Sequence, residues 1–284
     1  MKHKISVVIN TLNEEKNLPY ALRSVSAWAD EIIVVDMYSD DHTVEIAKEY
    51  GAKVFLHERI AAFDGARQFA IEQASNEWVL LLDADEIVPE PLSRILIDIV
   101  SANEADVVVI PWLNFLLGAP LMHTGWGPDQ DRHSRLFKKN KLITSPMIHE
   151  FLKPTDEAKI LELKYAKNVA VFHFSYRDTT HFIEKLNRYT TVEALQAYER
   201  GERASYVNVI YQAIKEFLIR YFWKKGYRDG WRGFYLSGLM ALYQWTTLAK
   251  LKELYFINEH GEASDRYKAA AEEIITEYKK HDML

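Results

Sequence analysis

Five apolar residues run directly into three carboxylates in Trp78-Val79-Leu80-Leu81-Leu82-Asp83-Ala84-Asp85-Glu86. An unbroken Leu- and Val-rich run of this length reads as a strand buried on both faces, the habit of parallel sheets. The C-terminal edge of such a sheet is where open α/β folds bind ligands. Three acids crowded there repel one another unless a cation or solvent neutralises them, and hard oxygen ligands suit Mg²⁺ or Mn²⁺. A strand leading into the acidic N-terminus of a helix started by Pro89 and Pro91 fits the same spacing.

The upstream chain sets this run in a repeating context. Ile5–Ile9 reads as a strand, and a helix follows through Leu18, Ala21, Leu22, Val25 and Trp28. Glu31–Asp36 is a second strand ending in an acid, and Asp41 is placed to cap the helix that stops at Gly51. Lys53–Leu56 is a third strand, and helices over about 62–74 and 91–101 flank the central run before a strand at 105–110. Regular alternation of this kind predicts a mostly parallel, doubly wound, Rossmann-like sheet. Residues 111–131 hold three glycines, three prolines and two tryptophans, which predicts a long loop or hairpin beside the site. Short strands are expected at 133–138, 144–150 and 168–174, and helix from about Asp178 onward.

Composition removes several classes of chemistry. There is no cysteine, so disulfides, thiolate metal sites and cysteine nucleophiles are excluded, which fits the cytoplasm. No stretch is both long and apolar enough to read as a membrane span. Neither a GxGxxG nor a GxxxxGK[ST] pattern occurs, which argues against a dinucleotide fold or a P-loop enzyme. Residues 201–257 carry nine Lys/Arg against four Asp/Glu, while the remainder carries 26 against 37. A basic patch on an acidic chain asks for an anionic partner, and the acidic remainder repels nucleic acid.

Loops at one sheet edge converge on one crevice. The first strand exits in Asn10-Thr11-Leu12-Asn13-Glu14, the second in Asp36 and the central one in Asp83 and Asp85. An acid such as Asp36 can accept hydrogen bonds from a nucleotide's base or ribose, or simply enter a turn. Arg67 can reach a phosphate or lie on a helix surface, and Trp126 can face a sugar ring or pack in its loop.

NTLNEEKNL, EIIVVDMYSDDHTVEIAKEYGAKV and LLLDADE together resemble the nucleotide-binding half of family 2 glycosyltransferases with the GT-A fold. GWGPDQDRHSRLFKKNKLITSPMIHE, HFSYRDTTHFIEKLNRYT and KKGYRDGWRGFYLSGLMALYQ extend the similarity toward bacterial enzymes of the lipopolysaccharide core heptose β-1,4-glucosyltransferase subgroup. One departure is that Met37, Tyr38 and Asp40 stand where small hydroxyl residues are usual.

The resemblance implies a GT-A nucleotide-sugar-binding and catalytic domain over 1–176 and a helical region over 177–284. It implies inverting transfer of a hexose, with glucose and UDP the expected donor components, to a saccharide or lipid-linked saccharide. Thr11, Asn13, Glu14, Asp36, Ser39, Arg67 and Asp83 would hold the nucleotide sugar. Asp85, Asp83 and His173 would hold Mn²⁺ or Mg²⁺. Glu150 matches the base position, with Asp129 and its neighbour Asp131 as rivals. A nucleotidyltransferase and a non-catalytic sugar-nucleotide module are the alternatives, and NTLNEE lacks the glycine-rich loop of the former.

Ala204–Trp223 is amphipathic, and Lys215, Arg220, Lys224, Lys225, Arg228 and Arg232 interleave with Phe222, Trp223, Tyr227 and Trp231. That mixture suits the surface of an anionic inner leaflet, and equally a helical subdomain or a second subunit packed on its apolar stripes.

Overall fold

The apolar runs are strands, and their order explains the site. The computed structural model describes residues 3–59, 64–144 and 152–281. Strand β1 (Ile5–Thr11) is followed by helix α1 (Leu18–Val25), β2 (Glu31–Asp36), α2 (Thr43–Glu49) and β3 (Lys53–Leu56). Then come α3 (Asp64–Gln73), β4 (Trp78–Asp83), the two-residue β5 (Glu86–Ile87) and α4 (Glu90–Ala102). Strands β3, β2, β1 and β4 lie side by side and parallel. Burial on both faces accounts for the continuous hydrophobicity of β1, β2 and β4. Trp78, Leu80 and Leu82 of β4 face one core cluster with Leu18, Leu22 and Leu96, while Val79 and Leu81 face another with Ala70 and Ile71. Fully burying each of these leucines contributes about 1.5–3 kcal/mol.

Beyond β4 antiparallel strands join the parallel sheet. Strand β6 (Val107–Leu116) is not the neighbour of β4. A short β7 (Ala119–Pro120) folds back on β6, and β8 (Arg132–Lys138) inserts between β4 and β6, antiparallel to both. The expected strand end at residue 110 is also exceeded. Pro111 lacks an amide donor, but its ring fits extended backbone, and β6 runs through it for five more residues.

Strands β9 (Leu142–Thr144) and β10 (Leu152–Pro154) form a small antiparallel pair, and β11 (Ile160–Glu162) pairs with β6. Most of the expected 144–150 strand lies outside the described residues. Strand β12 (Val171–Tyr176) then adds parallel to β6 and antiparallel to β5. In that register His173 sits between Asn114 and Glu86.

The rest is helical: α5 (Thr179–Glu199), α6 (Tyr206–Leu218), a π-helical turn at Ile219–Trp223, a 3₁₀ turn at Gly226–Asp229, α7 (Gly230–His260) and α8 (Ala263–His281). Contacts divide the chain into two compact units. The first comprises Met1–Lys185 with Leu218–Gly238 and carries the sheet. Its 218–238 segment is tied to the loop after β7: the Asp229 carboxylate accepts from the Met122 and His123 amides at 3.0 and 2.9 Å, and Arg220 donates to the Thr124 carbonyl at 2.9 Å. The second unit, Leu186–Phe217 with Leu239–Leu284, has a small core of Ala194, Ala197 and Leu251. Within it Lys250 donates to the Asn187 carbonyl and the Thr190 and Thr191 hydroxyls. No described helix is long and apolar enough to cross a membrane.

Candidate active site

Parallel register brings three strand ends level, pairing Thr11 with Asp36 and Asn10 with Asp83. Asp36 is fully buried there and accepts from the Thr11 hydroxyl at 3.0 Å and the Ser39 amide and hydroxyl at 2.8 and 2.5 Å. Asn13, with φ +58°, donates its amide to Ser39 Oγ and accepts from the Asp40 amide, both at 2.8 Å. The β1 and β2 exit loops are thus cross-linked around Asp36. Tyr38 sits in the same loop at φ +56°, an exposed residue in a conformation costly for an aromatic side chain. Glu14 donates its amide to Thr43 Oγ1 at 2.8 Å. Burial, reinforced by the Asp85 carboxylate, pushes the Glu14 carboxyl up to about 7.

The acids after β4 have separate environments. Asp83 accepts from Arg67 Nη2 at 2.8 and 2.9 Å and from Arg135 Nη2 at 3.1 Å. Burial alone would raise its pKa, but the two guanidiniums hold it well below the usual carboxylate range. Glu86 is wholly buried, accepts from Arg135 at 3.1 Å and from the Asp83 amide at 2.8 Å, and is pushed up by burial. Arg135, itself buried, also lies 4.3 Å from the Trp112 ring centroid. The mutual repulsion read from the sequence is therefore relieved at Asp83 and Glu86 by arginine. Arg67 turns to Asp83 here, and Asp83 is engaged by cations of the protein itself.

Asp85 is the acid that lines a cavity, of about 300 Å³, together with Asn17, Tyr20, Ala84, Ile87 and Phe174. Its Oδ1 lies 3.6 Å from His173 Nε2 and its Oδ2 3.7 Å from Lys185 Nζ, both wider than a direct hydrogen bond. Against the effect of burial, His173 and then Lys185 hold Asp85 down at about 2. Burial would lower the His173 pKa, but Asp85 raises it above the ordinary imidazole value.

The other edge of His173 is fixed by a network. Asn114 Nδ2 donates to the Trp126 carbonyl at 2.9 Å and to Asp131 Oδ2 at 2.6 Å, so its Oδ1 faces His173 Nδ1, 2.7 Å away. An amide oxygen only accepts, so Nδ1 carries the proton and the Nε2 lone pair is directed toward Asp85 when the ring is neutral. Metal-binding imidazoles are oriented by this kind of second hydrogen bond. Asp131 also bonds His133 at 2.7 Å. No group of three or more His, Asp or Glu residues able to hold a metal occurs among the described residues. The Asp85 carboxylate is the hard oxygen donor that Mn²⁺ or Mg²⁺ takes, and an imidazole nitrogen suits Mn²⁺ better than Mg²⁺; these two residues alone would be a partial donor set for either ion.

Of the remaining expected site residues, Asp129 is exposed on the loop after β7, and Glu150 lies outside the described residues. Trp126 stacks on Tyr176 with ring centroids 5.5 Å apart. Arg135, Asn114 and Lys185 were not anticipated.

The model for glycosyl transferase family 2 matches residues 6–156, more than half of the chain. The chain belongs to glycosyl transferase family 2. It is a glycosyltransferase, and its mixed, helix-covered sheet with a C-terminal helical region is of the GT-A kind. Similarity to whole proteins extends past the matched domain. An uncharacterized glycosyltransferase of Rickettsia typhi is 30% identical over 278 residues, covering 93% of this chain and 92% of that protein. The lipopolysaccharide core biosynthesis glycosyltransferase LpsC of Rhizobium meliloti is 28% identical over 273 residues, covering 93% and 97%. Likeness to solved structures is partial. Glucosyl-3-phosphoglycerate synthase from Mycobacterium tuberculosis, in complex with Mn²⁺, UDP-glucose and phosphoglyceric acid, gives a TM-score of 0.34 and 27% identity over 39% of this glycosyltransferase. The overlap spans 44% of that chain. S. aureus TarS gives 0.44 and 18% over 69%, and the overlap spans 39% of that chain.

Proposed function

We propose that this glycosyltransferase moves a hexose, with glucose the first to test, from a UDP-linked donor to a hydroxyl of a cell-envelope saccharide, with inversion at the anomeric carbon. The observation that carries the reading is the Asp85–His173 pair: Asp85 lines a cavity, and Asn114 presets the imidazole edge of His173 that faces it. In the reaction the acceptor oxygen bonds to the anomeric carbon as the bond to the diphosphate oxygen breaks. The acceptor's proton passes to a carboxylate, assigned to Glu150 with Asp129 as the rival. Bound at Asp85 and His173, Mn²⁺ or Mg²⁺ would supply charge neutralisation for the departing diphosphate.

The chain's own residues do the rest. Asn13, Glu14 and Ser39 would form the nucleotide wall, and buried Thr11 and Asp36 brace it from within. Asp83, expected with Asp85 at the metal and the sugar nucleotide, is held by Arg67 and by buried Arg135, and Arg67 would meet the diphosphate. The cavity beside Asp85 is near the lower end of small-ligand sites, about 300–1,000 Å³, and Tyr20 and Phe174 offer faces for a sugar ring. Similarity to LpsC along nearly the whole chain supports a lipopolysaccharide core or other lipid-linked acceptor, and hence work at the inner face of the plasma membrane.

Calorimetric titration with UDP and GDP, with and without Mn²⁺, tests the donor side. UDP binding that requires metal and is lost in Asp85→Asn is expected. Binding indifferent to metal would remove the central argument. A Glu150→Gln variant with near-normal turnover would transfer the base role to Asp129.

A further inference from the structure

Between the π-helical turn and the start of α7, large aromatic side chains point to solvent. Trp223 is 83% exposed, Trp231 59%, and Phe222 and Phe234 57% each. Phe222, Tyr227 and Phe234 have ring centroids 5.0, 6.4 and 5.6 Å from that of Tyr221, so they form one contiguous patch. Lys225 and Arg228 are exposed among them, and the Arg232 guanidinium lies 4.7 Å from the Trp231 centroid. The 218–238 segment carries five Lys/Arg and one Asp on a chain whose net charge is −6. Exposed apolar surface gathered into one patch with polar residues around it marks an interaction site.

We infer that this aromatic and basic face is a docking surface for an anionic phospholipid bilayer. Trp and Tyr rings, apolar with one polar handle, favour the headgroup region, and interleaved Lys and Arg draw them to anionic lipid. A symmetric dimer through the same face would set two positive patches against each other. Nucleic acid would meet repulsion from the acidic remainder.

The surface is mechanically joined to the candidate site. Asp229, the single acid of the segment, holds the Met122 and His123 amides, Arg232 donates to the Leu117 carbonyl at 3.1 Å, and the Thr124 amide donates to the Lys224 carbonyl at 3.1 Å. Met122, His123 and Thr124 belong to the loop after β7 that ends at Asp131, the partner of Asn114, and Leu117 to the turn that precedes β7. Docking would therefore bring the loop beside the catalytic crevice to the bilayer, where a lipid-linked acceptor is found. Only that last consequence rests on the proposed acceptor; lipid binding does not.

Flotation of the full chain with vesicles tests the inference, using phosphatidylcholine alone or with about 30% phosphatidylglycerol at roughly 0.1 and 0.5 M salt. The wild type should float with the anionic vesicles and less so at high salt. The Lys225→Glu/Arg228→Glu pair should weaken binding about tenfold or more, and Trp223→Ser should weaken it at both salt levels. Thermal midpoint and Mn²⁺-dependent UDP binding should stay unchanged in each. If Trp223→Ser lowers the midpoint, brominated-lipid quenching of tryptophan fluorescence decides instead: it should be strong in the wild type and reduced in Trp223→Phe. Failure to float, equal flotation with both vesicles unaffected by the substitutions, or a dimer that Trp223→Ser dissolves in the absence of lipid binding would each overturn the inference. Loss of UDP binding in the wild type would sink the donor reading and leave flotation untouched.

Discussion

His173 Nδ1 and Asn114 Oδ1 lie 2.7 Å apart on paired positions of two parallel strands. The strand register alone makes them neighbours. The two donations from the Asn114 amide nitrogen decide which way the side chain faces, and that decides which imidazole nitrogen is left facing Asp85.

Asn114→Ala should therefore weaken Mn²⁺ binding in the presence of UDP by about 10–100-fold, the usual cost of losing such an orienting bond. Calorimetry or electron paramagnetic resonance of Mn²⁺ reads this directly. An affinity within a factor of two of wild type would show that His173 needs no orientation or binds no metal.

Arg135 should be the most expensive side chain near the site to remove. It is 4% exposed and stands 3.1 Å from both Asp83 and Glu86. Arg135→Met fills much of the space but leaves Glu86 without its cation, while Asp83 keeps Arg67. Breaking a buried pair from one side typically costs about 3–5 kcal/mol. Urea unfolding should show a loss of that size, and Glu86→Gln in the same background should recover part of it. A loss under 1 kcal/mol, or no recovery, would mean that Arg135 is not what neutralises the buried acid.

These two residues also mark where the sequence stops being informative. β1, β2 and β4 are legible because strands buried on both faces must be continuously apolar, and the acids at their ends stand out against that background. Asn114 was hidden because Pro111 and Trp112 look like the start of a loop, whereas the strand passes through them to Leu116. Arg135 was hidden because its burial depends on β8 inserting antiparallel between β4 and β6, a long-range pairing with no local signal. The separate fates of Asp83 and Asp85 follow from the same insertion. His173 could be matched from the family resemblance, but its hydrogen-bond partner could not.

Glu14 gives a pH signature. Its folded pKa, raised by burial and by Asp85 to about 7, exceeds the ordinary value of 4.5. Between those values the folded state holds the extra proton, so this group's contribution to stability falls as pH rises from about 4.5 through 7. Glu14→Gln keeps an acceptor for Asn17 and removes the charge. It should be more stable than wild type at pH 8, by about 1 kcal/mol after allowing for solvent access, with the gap closing toward pH 5. Thermal midpoints of both proteins across that range provide the check. A gap that widens toward acid would reverse the assignment.

Two glycines on either side of β7 offer a comparison, Gly118 in the turn before it and Gly127 in the loop after it. A Cβ on Gly127 would lie 2.0 Å from the Met122 carbonyl oxygen, a backbone atom that cannot swing aside. The Gly127 carbonyl also accepts from the Gln130 and Asp131 amides at 2.9 Å each, so a shift there would move Asp131 and, through it, Asn114. Gly118, at φ +79°, has nothing within 4 Å of its would-be Cβ, so alanine there meets only the left-handed backbone penalty, about 1–2 kcal/mol. Gly127→Ala should cost stability through overpacking, about 1–3 kcal/mol. It should also reduce turnover by tenfold or more, because the network that orients His173 is displaced. Gly118→Ala should leave turnover near wild type at a comparable loss of stability. Urea midpoints and steady-state rates measured on the pair separate the two effects. Equal turnover in both variants would mean that the loop's backbone does not set the geometry of the Asp85–His173 pair.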